Sequence, residues 1–227
     1  MNIGARLGCL AILAWAGISF ACAQDITWGK PTPISSAGDI DTNGVYVDAL
    51  QTHAQKLTDG STQTVATITN PTTNVAVKFN IYNGGGSTGM APANFYSDAT
   101  FYITADANAG TDGSNSYASD YQRVLDGCTF VYAPNTGMVT MSGLKKGDNY
   151  EVQVWAAAGY RPTTYTSGSS SVDLNKVSNK TGEFVIGTFT AQGSSESFTY
   201  KNSYKIDVPA GEINAISLRD VSPNAGT

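Results

Sequence analysis

The chain has 227 residues, of which 41% are hydrophobic and only 14% are charged. This length is sufficient to bury a substantial core without disulfides. The net charge of −5 and the lack of a basic cluster exclude a basic surface that could bind the phosphates of a nucleic acid. The single histidine, His53, excludes a metal site built from several histidines. The 24 glycines and the many Tyr, Thr and Ser residues indicate short strands joined by turns.

The first 23 residues have the pattern of a secretory signal peptide. An apolar run at 7–20 follows one arginine, and Ala-Cys-Ala at 21–23 forms a small-residue cleavage motif. The run of ~14 residues is shorter than the ~20 that a membrane span needs. We therefore expect a secreted or cell-surface protein, residues 24–227, with no membrane span after cleavage. The alternative is a lipoprotein signal in which Cys22 is lipidated.

Strand-like segments recur along the rest of the chain. They lie at 26–28, 45–47, 74–82, 99–104, 129–132, 138–141, 150–156, 183–190, 197–200 and 214–221. In 74–82, NVAVKFNIY, apolar and polar residues alternate, which predicts one buried and one solvated face. A short helix is predicted at 119–125 with Ser119 or Asp120 as its N-cap.

This pattern of about ten strands without a long helix predicts one all-β domain, 24–227. The expected architecture is a single antiparallel β-sandwich of jelly-roll type, since no helices are available to connect parallel strands. The stretches at 84–89 and 166–171 are rich in Gly and Ser. We expect both to be loops within the domain.

Five phrases between residues 26 and 222 carry a family resemblance. They read ITWGKPTPISSAGDIDTNGVYVDA, YQRVLDG, MSGLKKGDNYEVQVW, TGEFVIGTFTA and INAISLRDVS. Together, and in this order, they resemble secreted β-sandwich modules of bacterial surface and extracellular proteins, which often carry C-terminal sorting signals. The resemblance implies a galactose-binding-like jelly roll and an extracellular location, and it implies no activity. The family usually has an Asp shortly before the Arg that follows the hairpin Trp, whereas no acid stands between Trp155 and Arg161.

Carbohydrate binding is the site chemistry that the loops favour. Aromatic rings stack on the apolar faces of sugar rings, and sugar hydroxyls bond to amides, carboxylates and arginine. The segment 155–165 supplies the predicted carbohydrate-binding residues Tyr160, Arg161 and Tyr165. The expected partner is an extracellular polysaccharide or a surface glycan. In the alternative interpretation these tyrosines are half-buried strand residues, and we expect Trp155 in the core.

A metal site is predicted where oxygen-bearing side chains alternate at Asp39, Asp41 and Asn43. Such oxygens suit a structural Ca²⁺ ion, and Gly44 permits the sharp bend that a binding loop needs. An EF-hand is excluded because Leu50 occupies the twelfth loop position, where that motif requires Glu. The alternative is an Asx turn, in which the side chains bond only to the local backbone.

The sequence offers little for catalysis. The glutamates of the strand-like segments, Glu151, Glu183 and Glu196, are expected to face solvent and not to form an acid–base pair. Cys128 lies in an apolar run, which favours a small buried side chain over a nucleophile. We therefore expect a non-catalytic module. The alternatives are a structural or adhesive envelope protein without a small ligand and, less favoured, a glycoside hydrolase.

Overall fold

A computed structural model describes most of the domain. The described residues are 25–55, 63–83, 94–97, 100–105, 107–109, 119–158, 161–175, 182–203 and 211–227. The strands are β1 (Thr27–Trp28), β2 (Thr32–Pro33), β3 (Val45–Gln55), β4 (Gln63–Thr69), β5 (Ala76–Asn83), β6 (Asn94–Ser97), β7 (Phe101–Ala105), β8 (Ala107–Ala109), β9 (Cys128–Phe130), β10 (Thr136–Ser142), β11 (Asn149–Ala156), β12 (Thr163–Ser167), β13 (Ser170–Leu174), β14 (Glu183–Thr190), β15 (Ser195–Asn202), β16 (Glu212–Ile213) and β17 (Ala215–Asp220). One α-helix, α1 (Asp120–Asp126), and one 3-10 turn, Ala37–Asp39, accompany them. The predicted signal peptide and the predicted loop at 84–89 lie outside the described residues.

The strands form three sheets. The largest has the order β1-β14-β11-β17-β3-β5-β4, with β2 also paired to β14, and the second has the order β13-β12-β15-β10-β7-β6. A small third sheet has the order β16-β9-β8. The prediction of an all-β protein is confirmed. A purely antiparallel arrangement is wrong for one pair, because β3 and β5 run parallel: the chain passes from β3 to the sheet edge as β4 before it returns as β5.

Two hydrophobic cores lie on opposite faces of the largest sheet. The first core joins it to the second sheet, with Val152 and Val154 of β11 in one cluster with Phe198 and Tyr200 of β15. The second core lies under α1 and the segment 34–40. Its members include Phe79, Tyr121, Val124 and Trp155. Trp155 is fully buried, which confirms its predicted place in the core.

Helix α1 begins where the sequence predicts it. The Ser119 Oγ accepts a hydrogen bond from the Gln122 backbone N–H at 3.2 Å, so Ser119 is the N-cap. Tyr121 and Val124, three residues apart, share the buried face of the helix and pack on the second core. The helix therefore closes over the edge of the sheet near β4. In the part of the chain that the structure describes, no helix is long and apolar enough to span a membrane.

The segment predicted as a loop at 166–171 belongs to a hairpin of β12 and β13. Its turn is short because Ser167 and Ser170 already pair across the two strands. Gly168 has a φ of +51°, which glycine adopts without cost. The Asp25 carboxylate accepts hydrogen bonds from the N–H and the hydroxyl of Ser169 at 2.7 and 2.8 Å. A Gly/Ser-rich stretch can thus be a tight turn with strand on either side.

Candidate functional site

A groove of about 400 Å³ lies between three segments of the described chain, at 35–37, 67–69 and 119–122. Its volume falls within the roughly 300–1,000 Å³ of small-molecule sites. The exposed residues Ser35, Ser36 and Ser119 supply hydroxyls, and Asp120 and Gln122 supply a carboxylate and an amide. We call this the serine groove. Its donors and acceptors suit a polar ligand that carries several hydroxyl groups.

Asp39 holds one rim of the serine groove in place. Its carboxylate accepts hydrogen bonds from the Ser35 N–H at 2.6 Å, the Ser35 hydroxyl at 2.7 Å and the Ser36 N–H at 2.9 Å. The Ser36 Oγ accepts from the Gly38 N–H at 3.2 Å, and a capping box closes the 3-10 turn. The hydroxyls of Ser35 and Ser36 are therefore fixed before a ligand arrives, which lowers the entropic cost of binding.

Tyr121 connects this rim to the second core. Its hydroxyl lies 3.4 Å from the Asp39 Oδ2, to which it donates, and it accepts from the Trp155 Nε1 at 3.0 Å. Burial, followed by the neighbouring Asp39 carboxylate, raises the pKa of the Tyr121 hydroxyl. The hydroxyl therefore stays protonated and keeps its donated hydrogen bond. The hydrogen bonds that join Trp155, Tyr121, Asp39 and Ser35 therefore connect a fully buried residue of the core to the groove wall.

Two of the residues predicted to bind carbohydrate, Arg161 and Tyr165, lie outside the serine groove. Tyr160 is outside the described residues. The Arg161 Nη1 is 3.3 Å from the Glu212 Oε2 and donates to the Cys128 Sγ at 3.2 Å, and the guanidinium covers the Phe130 ring at 5.1 Å. Tyr165 was predicted on a loop, but it is fully buried in β12 and its hydroxyl donates to the Glu212 carbonyl at 2.6 Å. The ring of Tyr165 therefore packs in the first core and presents no open face to a sugar.

Arg161 and Tyr165 thus meet at one buried residue, Arg161 at the Glu212 carboxylate and Tyr165 at the Glu212 backbone carbonyl. We call Cys128, Phe130, Arg161, Tyr165 and Glu212 the Glu212 cluster. Burial raises the pKa of Glu212 to about 7, an effect that the Arg161 guanidinium and the Ala158 N–H partly oppose. Burial, followed by the Glu212 charge, raises the pKa of the Cys128 thiol. Cys128 is therefore a poor nucleophile, in agreement with its predicted role as a buried side chain.

The residues predicted to hold calcium, Asp39, Asp41 and Asn43, make hydrogen bonds to different groups. Asp39 bonds to the rim of the serine groove, as described above. The Asp41 Oδ1 accepts from the Asn43 N–H at 3.1 Å, which is the local turn that the sequence also allowed. The Asn43 Nδ2 lies 3.4 Å from Glu151, whose pKa is raised by burial and by Asp41. Among the described residues, no group of three His, Cys, Asp or Glu side chains could hold a metal ion.

The guanidinium of Arg219 is the positive charge at the loop that contains Asp41 and Asn43. Arg219 is 3% exposed, and its Nη2 donates to the carbonyls of Thr42 and Gly44 at 3.2 and 3.0 Å. Its Nε donates to the Asn43 carbonyl. Loop carbonyls are oxygens that a calcium ion would also seek. The guanidinium therefore satisfies the carbonyls of Thr42, Asn43 and Gly44.

We accordingly expect the melting temperature of the protein to be the same in EDTA and in millimolar Ca²⁺. A ligand that binds only the folded state raises stability in proportion to the logarithm of its concentration. Thermal unfolding followed by circular dichroism across a calcium titration measures this directly. A melting temperature that rises with Ca²⁺, and that no longer rises in Asp41→Ala, would contradict the expectation and support the predicted calcium site.

The serine groove was missed at the sequence level, although the sequence carries a signal for it. Ser36 and Asp39, and again Ser119 and Gln122, are spaced as in capping boxes. Each motif marks the start of a helical turn with an ordered serine. Only the fold shows that the two turns face each other across β4. Another difference concerns Glu196, which was expected to face solvent but is 4% exposed.

The comparisons with known proteins return nothing: no protein-family model, no curated protein and no solved structure matches the chain.

Proposed function

We propose that the protein is a secreted, non-catalytic module that binds carbohydrate in the serine groove. Secretion rests on the signal-like pattern of the first 23 residues. A β-sandwich of jelly-roll type is the architecture we propose for the domain, and the first core, which residues of both large sheets share, supports it. The polysaccharide or surface glycan expected from the sequence remains the proposed partner.

One observation carries this proposal. Hydroxyl, amide and carboxylate groups converge on a groove of about 400 Å³ whose serine rim is already ordered by Asp39. Water-soluble sugars present many hydroxyls, and such a ligand needs donors and acceptors held at fixed positions. Among the described residues that line it, the groove has one carboxylate, Asp120, whereas glycoside hydrolysis ordinarily requires two. The polar groups of the groove are therefore suited to holding a sugar.

The test is retention of the secreted protein on immobilised glycans. We expect Asp120→Asn and Gln122→Ala each to weaken retention about 10-fold or more, since the first removes a charged acceptor and the second removes a side-chain amide. Asp126→Asn is the matched control, because it makes the same charge change at the opposite end of α1. Asp120 and Gln122 are exposed and Asp126 is half-buried, and we expect all three substitutions to leave the melting temperature within a few degrees of the parent.

Two results would overturn the proposal. Equal retention of the Asp120→Asn and Asp126→Asn proteins would show that glycan binding does not use the serine groove. Failure of the parent protein to bind any glycan would instead favour a structural or adhesive envelope protein without a small ligand. In that case, cross-linking of intact cells would identify its protein neighbours.

A further inference from the structure

The carboxylate of Glu196, in β15, is buried without a full set of partners. Its Oε1 accepts from the adjacent Ser197 N–H at 3.1 Å, and its buried Oε2 has no hydrogen-bond partner among the described residues. No described lysine, arginine or histidine forms an ion pair with it. A buried carboxylate that keeps its charge needs a positive partner, because an unpaired buried charge is costly. The position therefore suits a small cationic group.

Asp25 lies beside Glu196, at the start of the described chain. The Ser167 hydroxyl accepts from the Ile26 N–H at 3.1 Å and donates to the Ser197 carbonyl at 3.4 Å. Asp25 directly precedes the first of these bridged residues, and Glu196 directly precedes the second. Burial raises the pKa of the Glu196 carboxyl, the Ser197 N–H opposes this effect, and the charge of Asp25 adds to it. The two carboxylates therefore repel each other across a short gap.

The fold fixes the position of Asp25 from both sides. Its carboxylate accepts from the N–H and the hydroxyl of Ser169, and both bonds end on Oδ2. Oδ1 therefore keeps its capacity to accept another donor. The next residue, Ile26, is fully buried in the first core and anchors the backbone. The place where the chain arrives at Asp25 is thus set by the packing of the domain.

Signal cleavage after residue 23 would create a cation at this place. The predicted product begins at Gln24, whose α-amine is largely protonated at neutral pH, since such groups have a pKa of about 7.7–8.0. One peptide bond separates residue 24 from Asp25, so covalent geometry keeps the α-nitrogen within about 5 Å of the Asp25 Cα. An ammonium group carries three N–H donors, enough for one bond to each carboxylate.

We propose that Asp25 and Glu196 form a binding site for the α-ammonium group of residue 24, which signal cleavage releases. The ammonium donates to the Asp25 Oδ1 and to the Glu196 Oε2 and supplies the positive charge that the buried carboxylate lacks. The inference rests on the secretion included in the proposed function and is independent of glycan binding. It makes removal of the signal peptide a step that stabilises the domain.

The side chain of Gln24 offers a way to remove this charge without changing the length of the chain. In cyclisation, the α-nitrogen bonds to the side-chain amide carbon and ammonia leaves. The product, pyroglutamate, is a neutral lactam with no α-ammonium. The enzyme glutaminyl cyclase performs this conversion on the folded protein, and mass spectrometry detects the loss of ammonia. Gln24→Ser keeps the α-amine and cannot cyclise, so it provides the free form if the host cyclises Gln24.

The experiment compares the melting temperatures of the secreted protein with a free and with a cyclised N-terminus. We expect the free form to melt at least about 3 °C higher, because cyclisation removes charge-assisted hydrogen bonds. In Glu196→Gln the difference should fall below about 1 °C, since the charged partner is gone. Glu151→Gln is the matched control, because it makes the same change at a glutamate that accepts from Asn43, and it should keep the full difference.

A second measurement does not depend on stability. The pH dependence of acetylation of the α-amine, followed by mass spectrometry of the first peptide, gives the pKa of that amine. We expect a pKa at least about one unit above the usual 7.7–8.0, because two carboxylates favour the charged form. Glu196→Gln should lower it. An ordinary pKa in the parent protein would overturn the inference even if a variant fails to fold.

The remaining outcomes separate this inference from the proposed function. Equal melting temperatures of the free and cyclised forms, or a difference that persists in Glu196→Gln, would overturn the α-ammonium site. A secreted protein whose mass shows a start other than residue 24 would overturn it together with the predicted cleavage position. Retention on immobilised glycans is measured on both N-terminal forms, and glycan binding stands or fails on that result alone.

Discussion

Replacing Glu212 by alanine is expected to destabilise the protein by about 3–5 kcal/mol, the usual cost of breaking a buried ion pair. The side chain of Glu212 is fully buried, and that of Arg161 is only 14% exposed. Truncation removes the carboxylate that neutralises Arg161 and that accepts from the Ala158 N–H at 2.7 Å. Urea unfolding at pH 8, above the raised pKa of Glu212 and so with its carboxylate charged, measures the loss by tryptophan fluorescence. A change below about 1 kcal/mol would contradict a buried charge pair at this position.

The matched variant Glu212→Gln isolates the charge and yields a pH dependence. Because burial raises the pKa of Glu212 from 4.5 to about 7, folding favours its protonated form. The stability that this preference contributes is complete below pH 4.5 and is lost as the pH rises to about 7. Glutamine does not titrate. We therefore expect the parent protein to lose stability relative to Glu212→Gln across this window, by at most about 3 kcal/mol.

Denaturant unfolding of both proteins at half-unit steps between pH 4 and 8 tests the sign, because all other titrating groups are common to the pair. A parent protein that gains stability relative to Glu212→Gln as the pH rises would show that the Arg161 charge outweighs the cost of burial. Parallel curves would show that the pKa of Glu212 is the same in the folded and unfolded states.

Gly44→Ala is expected to cost about 3–5 kcal/mol, through backbone strain together with overpacking. Gly44 has a φ of +63°, and a Cβ there would lie 2.2 Å from the Asp220 carbonyl oxygen. The backbone at Asp220 cannot move aside as a flexible side chain can. The substitution would also displace the loop carbonyls that accept from Arg219.

Gly143→Ala is the control for this prediction. Its φ is +76°, but nothing lies within 4 Å of the Cβ that would be added. It should therefore cost only the conformational strain, about 1–2 kcal/mol. Similar unfolding free energies for the two variants would mean that the close approach of Gly44 to β17 does not constrain the fold.

Much of the fold could be predicted because local patterns and tertiary structure agree. In β5 the alternation of Val77 and Phe79 with polar residues corresponds to the buried face observed. The N-cap at Ser119 was predicted from the residue type alone. Strands β12 and β13 were missed because their threonines and serines resemble loop composition. In the structure, these residues lie in the ladder between β15 and the sheet edge.

The candidate site could not be predicted because it depends on contacts between distant segments. Ser36 and Ser119 are 83 residues apart in the numbering, and their turns come together through the second core and through the hydrogen bond from Tyr121 to Asp39. Tyr165 was misplaced for a similar reason. Its buried hydroxyl is tolerated because the Glu212 carbonyl, 47 residues away in sequence, accepts its hydrogen bond.

The burial of Cys128 makes it a natural reporter of local opening. It is the one cysteine of the chain after residue 23, and its thiol is 5% exposed beside Glu212 in the smallest sheet. Reagents that alkylate thiols react with the exposed thiolate, so modification of the native protein must wait for that sheet to separate. The labelling rate of Cys128 therefore gives the free energy for opening this small sheet. A bound sugar in the distant groove would slow the labelling only if the two regions open as a single cooperative unit.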